Sequence, residues 1–404
     1  MKPDADWRTF IGASLSLLVV YAASATPIPL YGLYRAQDGL SYGDLSLSAV
    51  VYFVGAVTAL LVLGRLSSHL GRRPLSLLAL LLVVLACAVL LNVHSPGPLL
   101  VGRLLQGLSC GLASTALSAW VVDSAPRSPA WLAPAITSCG PMVGLTLGGL
   151  SAGTLVDIAP LPRQLPFFVV GLMLLPCAWL LTRGNETILR QPGVIASLKP
   201  RLALPEQARK AFPVAAWAFV CTWAFGGFYQ AFGPAMAREQ LHSASALAAA
   251  LVFASVMAPS LIGASLAGRL TARTAQWGGM ALFTLAVGGV LLSLAHGQLL
   301  WFLLTSALVG MGQGATLSGS IHTLVDGTAR EDRAGILATI YATSYSGAAI
   351  PTLIAGQLSG HFSLLQIASA YGVLAVLGWG AISLLQLRQH NHSVSGHHRQ
   401  AERG

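Results

Sequence analysis

Arg103 opens a stripe of hydrogen-bonding residues, Arg103, Gln106 or Gly107, Cys110, Ser114 and Ser118, inside an otherwise apolar stretch. Steps of three and four residues place them on one helix face. A guanidinium there can offer a fork of donors to an anionic or polar partner, or snorkel from a span end to the interface. An arginine inside a membrane is costly and functional by default. A second concentration is "WAFVCTWAFGGFYQAFGP", where Trp217, Trp223, Phe225, Phe228, Tyr229 and Phe232 surround Gly226 and Gly227, and Gln230 adds an amide. Aromatics with a few placed polar groups suit a small-molecule pocket; packing and an interfacial belt are the plain alternatives. Gln313, Tyr341 and Tyr345 are candidates for a facing wall, and His322 reads as a packing histidine before a proton carrier.

What is missing narrows the chemistry further. Of the 13 Asp and Glu residues, none falls in the middle of an apolar run. Proton-driven carriers hold such a group inside, where it titrates between states. Coupling would therefore fall to Asp38, Asp44, Asp123, Asp326 or His322, all near run ends or weakly supported. A carboxylate-free interior also disfavours a cationic drug and favours a neutral or anionic substrate, with Arg103 as the interior charge. No Walker loop, zincin helix or nucleophile elbow is present, so ATP hydrolysis and catalysis are unsupported. The five cysteines, Cys87, Cys110, Cys139, Cys177 and Cys221, sit in apolar segments without paired spacing and read as packing residues. The tail holds His390, His392, His397 and His398; an irregular cytoplasmic tail is a stronger reading there than metal binding. No metal or cofactor is expected.

These residues need elements to hold them. The chain is 55% apolar and 9% charged over 404 residues, with mean hydropathy +0.70. Twelve apolar runs are long enough to cross a bilayer as helices, at roughly 9–34, 45–66, 75–94, 98–122, 131–156, 164–182, 212–234, 245–268, 277–296, 298–325, 334–357 and 364–387. The N-terminus "MKPDADWRTF" does not read as a cleavable signal. With both termini placed in the cytoplasm, 19 of the 23 Lys and Arg fall on that side, Arg35, Arg163 and Arg238 fall outside, and Arg103 enters span 4. This positive-inside bias accounts for the net charge of +10 through topology and contact with anionic lipid, and argues against nucleic acid.

The polar stretch 183–211 divides the chain into 1–182 and 212–387, with 388–404 as a tail. Shifting the second part back by about 203 residues brings like onto like. "YRAQ" falls near "AREQ", Gly107 and Gly111 on Gly310 and Gly314, Asp123 on Asp326, and Gly144 and Gly153 on Gly347 and Gly356. Two parallel six-span repeats are a transporter architecture, with the site at mid-membrane between them. Pro27 and Pro29 interrupt span 1, and interrupted spans point toward such sites. A plain kink, its freed carbonyls satisfied by Ser24 or Thr26, is the alternative.

Over nearly its whole length the chain resembles the major facilitator superfamily. The loop "GRLSSHLGRRP" is similar to the family's G-x-L-(A/S)-D-R-x-G-R-R/K pattern at Gly64, Leu66, Ser67, Gly71, Arg72 and Arg73, with Ser68 and His69 where the family has Asp and Arg. "GRLLQGLSCG" matches G-R-x-x-Q-G-x-G at Gly102, Arg103, Gln106, Gly107 and Gly111. "CGPMVGLTLGG" looks like the Gly-Pro motif of the drug and metabolite antiporter branch at Gly140, Pro141 and Gly144, its paired glycine displaced to Gly148 and Gly149. In the second half "AGRLTAR" keeps only Gly268, Arg269 and Leu270.

The resemblance implies an all-α fold of twelve membrane helices in two pseudo-symmetric bundles of six, and a secondary transporter, not an enzyme. Its partners would be a small-molecule substrate, membrane lipid and a candidate proton gradient, with the protein a monomer in a bacterial-type inner membrane. The Gly-Pro motif favours efflux; uptake of a neutral or anionic nutrient is the runner-up. Substrate contacts are expected from Arg103, Gln106, Cys110, Trp223, Tyr229, Gln230, Gln313 and Tyr345. Conformational switching is expected from Gly64, Gly71, Arg72, Arg73, Asp123, Asp326, Gly140, Pro141 and Gly144. An Arg72 or Arg73 pair with Asp123 would latch the state open to the outside, re-wired through Ser68 and His69. Gly140, Gly144 and Gly148 would form a flat packing face around Pro141.

Overall fold

The computed structural model describes residues 6–126, 129–200, 202–329 and 332–401. Of the basic residues used above for orientation, Lys2, Arg127, Arg201, Arg330 and Arg403 lie outside that set. The side chains of Arg399 and of the four tail histidines are not described either.

A segment in lipid must satisfy its backbone internally, and the described chain answers with helices. Eleven are long and apolar enough to span a membrane: α1 (Trp7–Asp38), α2 (Tyr42–Leu63), α3 (Arg72–Leu90), α4 (Pro96–Ser124), α5 (Leu132–Ile158), α6 (Leu165–Arg183), α7 (Ala208–Gln240), α8 (Ala246–Ala267), α9 (Ala272–Ala295), α10 (Leu299–Val325) and α12 (Leu364–Arg388). The remaining expected span is α11 (Arg333–Leu358), 26 residues in which Ser, Thr and Gly dilute the apolar content. The last helix runs on to Ala401, so the stretch expected to be irregular is helical to that point. No proline interrupts it there.

The repeat is visible as packing. Gly107 and Gly111 of α4 lie against the backbone of Tyr52 and Ala56 in α2, and Gly310 and Gly314 of α10 lie likewise against Val256 and Ser260 in α8. Gly144 of α5 meets Leu18 and Tyr21 of α1, while its counterpart Gly347 meets Val220 of α7. Small residues let membrane helices approach backbone to backbone, so the same glycines recur where the same helix pairs cross. Gly148 also packs on α1 at Ala22, whereas Gly140 reaches only Leu17 at ordinary contact distance. The flat face is therefore built mainly from Gly144 and Gly148.

The halves meet through α5 against α8 and α2 against α11. Gly153 meets Ala246 and Ala250, and Gly356 meets Ser46. Among the described residues, every hydrogen bond or ion pair from one half to the other lies at the end away from the linker. Arg35 Nη1 donates to Glu239 Oε1 at 3.0 Å, and Tyr42 donates to the same carboxylate. Asp157 at the end of α5 accepts from Ser245 Oγ (2.5 Å), Ala246 N (2.8 Å) and Leu247 N (3.1 Å), capping α8. We call this the clasped end.

The linker divides between the two bodies. Glu186 accepts from the backbone N–H groups of Arg72 and Arg73, at 2.8 and 2.9 Å. His69 Nδ1 lies 3.1 Å from the Pro192 carbonyl. Ala203 N instead donates to Gly335 O, at the start of α11.

Candidate functional site

Span 1 breaks where its prolines require it, with a 3-10 turn over Ile28–Leu30 between helices Trp7–Ala25 and Tyr31–Asp38. Pro27 has no N–H to give the carbonyl four residues back, which is that of Ala23. Gln106 Nε2 of α4 takes that carbonyl at 2.8 Å, and Arg103 Nη1 takes the next one, Ser24 O, at 2.7 Å. Arg103 also donates to Gln106 Oε1 at 2.8 Å, which fixes the amide's orientation. The hydroxyls of Ser24 and Thr26, expected to heal the break, bond to Tyr21 O and Ala22 O instead. Arg and Gln one turn apart thus serve as a strap for the broken helix.

Arg103 is fully enclosed, 0% exposed. It neither snorkels nor lines an open cavity in this conformation, because α1, α2 and Gln106 close over it. Its guanidinium carbon sits 4.4 Å above the Tyr52 ring, a desolvated cation–π contact worth about 2 kcal/mol. Nε and Nη2 are buried without partners, and no carboxylate pairs with the charge among the described residues. A buried cation with unused donors is poised to receive an acceptor.

The rest of the stripe faces the same junction. Cys110 is buried, and its carbonyl lies 3.4 Å from the Tyr21 hydroxyl, which also bonds the half-buried Ser114. Gly107 faces α2 instead. From the second half, Tyr345 packs on Trp223 at 4.8 Å and on Phe53 of α2 at 6.1 Å between ring centroids. Tyr341 packs against the same hydrophobic cluster as Tyr21 and Tyr345. Tyr21, Tyr52, Phe53, Trp223, Tyr341 and Tyr345 therefore form an aromatic cluster at the meeting of the halves, with Ser114 beside Tyr21 and Arg103 behind Tyr52. Its polar tips are tyrosine hydroxyls and the Trp223 indole N–H; the described carboxylates all lie near helix ends or in loops.

Other expected contacts fall elsewhere. Tyr229 belongs to the second half's own core, bonded to Ser306 Oγ at 2.7 Å and stacked on Phe302 at 5.8 Å. Gln230 is buried one turn beyond Gly227, which touches Thr352 and Phe53. Gln313 is buried with Oε1 unpartnered. The His322 side chain is 60% exposed, 3.7 Å from Asp326, so it is not a packing histidine.

Arg72 Nε does meet Asp123, at 3.0 Å. Arg72 Nη1 reaches Ser67 and Ser68, and Thr187 of the linker also bonds Asp123. Arg73 bonds the Thr182 carbonyl. All these partners belong to the first half and the linker, so the contact ties loop, helix and linker rather than half to half. Gly71 turns the loop at φ +108°, and a side chain there would strike Glu186. Gly64 rests against Thr115. Asp326 has no matching role, since the second loop's Arg273 bonds the Gln386 carbonyl at 2.6 Å instead.

Sequence reading passed over Tyr21, Tyr52, Glu186 and the clasp. The clasp left a trace: laying "YRAQ" on "AREQ" aligns Arg35 with Arg238, the neighbour of Glu239, and repeat-related segments meet across a pseudo-twofold axis.

Residues 13–353 match the family model of the Major Facilitator Superfamily. The chain is 34% identical over 104 residues to the multidrug resistance protein MdtL of Klebsiella pneumoniae, a match covering 25% of this chain and 26% of that protein. It is 26% identical over 151 residues to EfpA of Mycobacterium tuberculosis, described as an uncharacterized MFS-type transporter, covering 35% and 28% of the two chains. The chain thus matches well under half the length of either relative. Among solved structures, an inward-facing bacterial homologue of the human lysosomal transporter Spinster superposes with TM-score 0.74 at 14% identity, covering 95% and 98%. A D-xylose–proton symporter superposes with TM-score 0.68 at 16% identity, covering 94% and 97%.

Proposed function

The chain belongs to the Major Facilitator Superfamily, and on that premise we propose that it exports a small neutral or anionic organic molecule, a drug or metabolite, by alternating access. The carrying observation is Arg103, an interior cation with two unused donors and no carboxylate, placed behind an aromatic cluster whose polar groups are hydroxyls and one indole N–H. A cationic substrate would meet no compensating charge there, whereas an anion or carbonyl would find donors already desolvated. In this reading 1–182 and 212–387 rock about the aromatic cluster, joined by 183–211, with both termini in the cytoplasm of a bacterial-type inner membrane. The clasped end then faces outward. Arg103 contributes to substrate binding through Nε and Nη2, the donors that its bonds to α1 and Gln106 leave unused. Trp223 and Tyr345 supply ring contacts, and Gln106 and Cys110 line the same wall. Export is supported by the likeness to MdtL and by the glycine-rich α5. A proton gradient is the candidate driving force.

The test is efflux from proteoliposomes of a matched set of anionic, neutral and cationic aromatic compounds, with and without a pH gradient. The reading expects anionic or neutral compounds to move and cationic ones to stay, and Arg103→Gln to stop the flux while insertion persists. Preferential movement of cations, or wild-type flux in Arg103→Gln, would sink it. Flux that ignores the gradient removes proton coupling alone.

A further inference from the structure

We propose that the clasped end holds a second ligand site, for a small organic monocarboxylate, formed by both halves together and distinct from the central aromatic cluster and Arg103. A cavity of about 270 Å3 lies between the second segment of α1, the start of α2 and the end of α7. That is slightly under the roughly 300–1,000 Å3 of drug-sized pockets, so its occupant is smaller than a drug. Tyr31, Arg35, Tyr42, Pro234, Arg238 and Glu239 line it, with Leu45 and Ala231 completing an apolar wall.

The charges do not balance. Glu239 is shared by Arg35 and Tyr42, while Arg238 has no ion-pair or hydrogen-bond partner among the described residues. Two guanidinium groups against one carboxylate leave a net positive charge facing the cavity. Arg35 itself is under-used. It donates one hydrogen bond, to Glu239, its guanidinium carbon lies 3.4 Å over the Tyr42 ring, and its Nε is buried without an acceptor. Arg238 stands in the π-helical turn Met236–Gln240 that ends α7, and such turns often mark functional sites.

A carboxylate placed between Arg238 and Arg35 would receive charge-assisted hydrogen bonds from both. A short aromatic or aliphatic body would lie on Tyr31, Leu45 and Pro234. Glu239 is the competitor for Arg35, which sets the sign of its substitution. Because the walls come from both halves, the ligand binds the clasped arrangement alone and shifts the population toward it. An external carboxylate therefore acts as a brake that keeps this end shut.

Benzoate is the probe and benzamide its neutral control, titrated calorimetrically into the purified full-length protein in detergent. Saturable binding of benzoate but not benzamide is expected. Arg238→Gln should weaken it at least tenfold, Glu239→Gln should strengthen it severalfold by releasing Arg35, and Arg103→Gln should leave it unchanged. Melting temperature should rise with benzoate in wild type and not in Arg238→Gln. The proposal is overturned by absence of benzoate binding to wild type, by equal binding of benzamide, or by binding that Arg238→Gln leaves intact. Loss in Arg103→Gln with retention in Arg238→Gln would move benzoate to Arg103 at the centre, and likewise overturns it.

Discussion

The two halves share a scaffold and differ in what they place on it. Glycines at repeat-related positions make the same helix crossings in both, α4 on α2 and α10 on α8, α5 on α1 and α11 on α7. The polar content does not repeat. Where α4 carries Arg103 and Gln106, the 203-residue shift brings Ser306 and Val309 of α10; where α1 has Pro27 and Pro29, α7 has Gln230 and Phe232. The first half therefore has a broken helix strapped by a buried cation. The second has an unbroken α7 held to α10 by a neutral Tyr229–Ser306 bond and a stack of rings. Backbone approach is a requirement of the fold and is retained in both copies. A buried charge costs about 2.5–3.5 kcal/mol even by lenient insertion scales, so it persists where it has a task.

The largest test of that contrast is to remove the strap and its counterpart separately. Arg103→Leu deletes charge-assisted bonds to Ser24 O and Gln106, worth about 3 kcal/mol together at the lower end for such groups. Flux in proteoliposomes should fall about 100-fold or more, with the protein still inserted. Ser306→Ala removes one neutral bond and should cost less than about fivefold. Equal losses would mean the halves contribute symmetrically.

Healing the break sharpens the comparison. Pro27→Ala restores an N–H that can claim Ala23 O and displace Gln106 from it. The stranded amide costs about 1–3 kcal/mol, so flux should drop roughly tenfold while the melting temperature, which gains a helical bond, stays within a few degrees. Substituting Pro234, a proline late in α7, should do much less, since among the described residues no side chain bonds the Gln230 carbonyl that it leaves free.

How far these features were legible follows from what each leaves in the sequence. Apolar runs announce spans, and Pro27 and Pro29 announce the break, because lipid and the missing N–H act through residue type alone. Paired glycines announced the crossings. Beyond Gln106, Arg103's partners were not legible: Ser24 O is a backbone carbonyl, which carries no letter, and the enclosure came from Tyr52 on another helix. Tyr229 was misplaced because α7 is apolar on every side, and such a helix does not say which face meets the partner half. Glu186 was hidden differently. Its role is to occupy the N–H groups of Arg72 and Arg73, in a loop where the family's acid is absent and Ser68 stands.

That loop gives the next contrast. Glu186 fastens the linker to the first half, while the second half's loop uses Arg273 on Gln386, and the linker meets the second half at α11 and α10, through Ala203 on Gly335 and through Leu204 and Ala208 packed with Leu324 and Ile336. Glu186→Gln should loosen residues 186–198 and raise trypsin cleavage at Arg190 several-fold, by about 1 kcal/mol of local opening. Arg273→Gln should leave cleavage there unchanged. Equal sensitivity in both variants would show that the linker is held from both sides.

The smallest effect lies at the helix starts and reads out with pH. Asp6 caps α1, accepting from Thr9 N at 3.2 Å and from Asn185 Nδ2 at 2.8 Å. Partial burial works against its ionised form, but the hydrogen bonds from Thr9 and Asn185 outweigh it and hold the carboxyl below its ordinary range. A lowered native value means the unfolded chain takes up its proton first as pH falls. The stabilisation is therefore whole above the ordinary carboxylate value and is lost as pH drops through the native one. The α7 start has no such cap: Pro205 precedes it, and Glu206 only meets Lys210 at 3.7 Å in solvent. Asp6→Ala should lower the melting temperature by a degree or two at neutral pH, in keeping with about 1 kcal/mol for a cap. The gap from wild type should narrow as pH falls below the ordinary carboxylate value and close below the native one, whereas Glu206→Ala should show no gap at any pH. A gap for Asp6→Ala that did not narrow as pH fell through the carboxylate range would assign the stabilisation to helix packing and not to the charged cap.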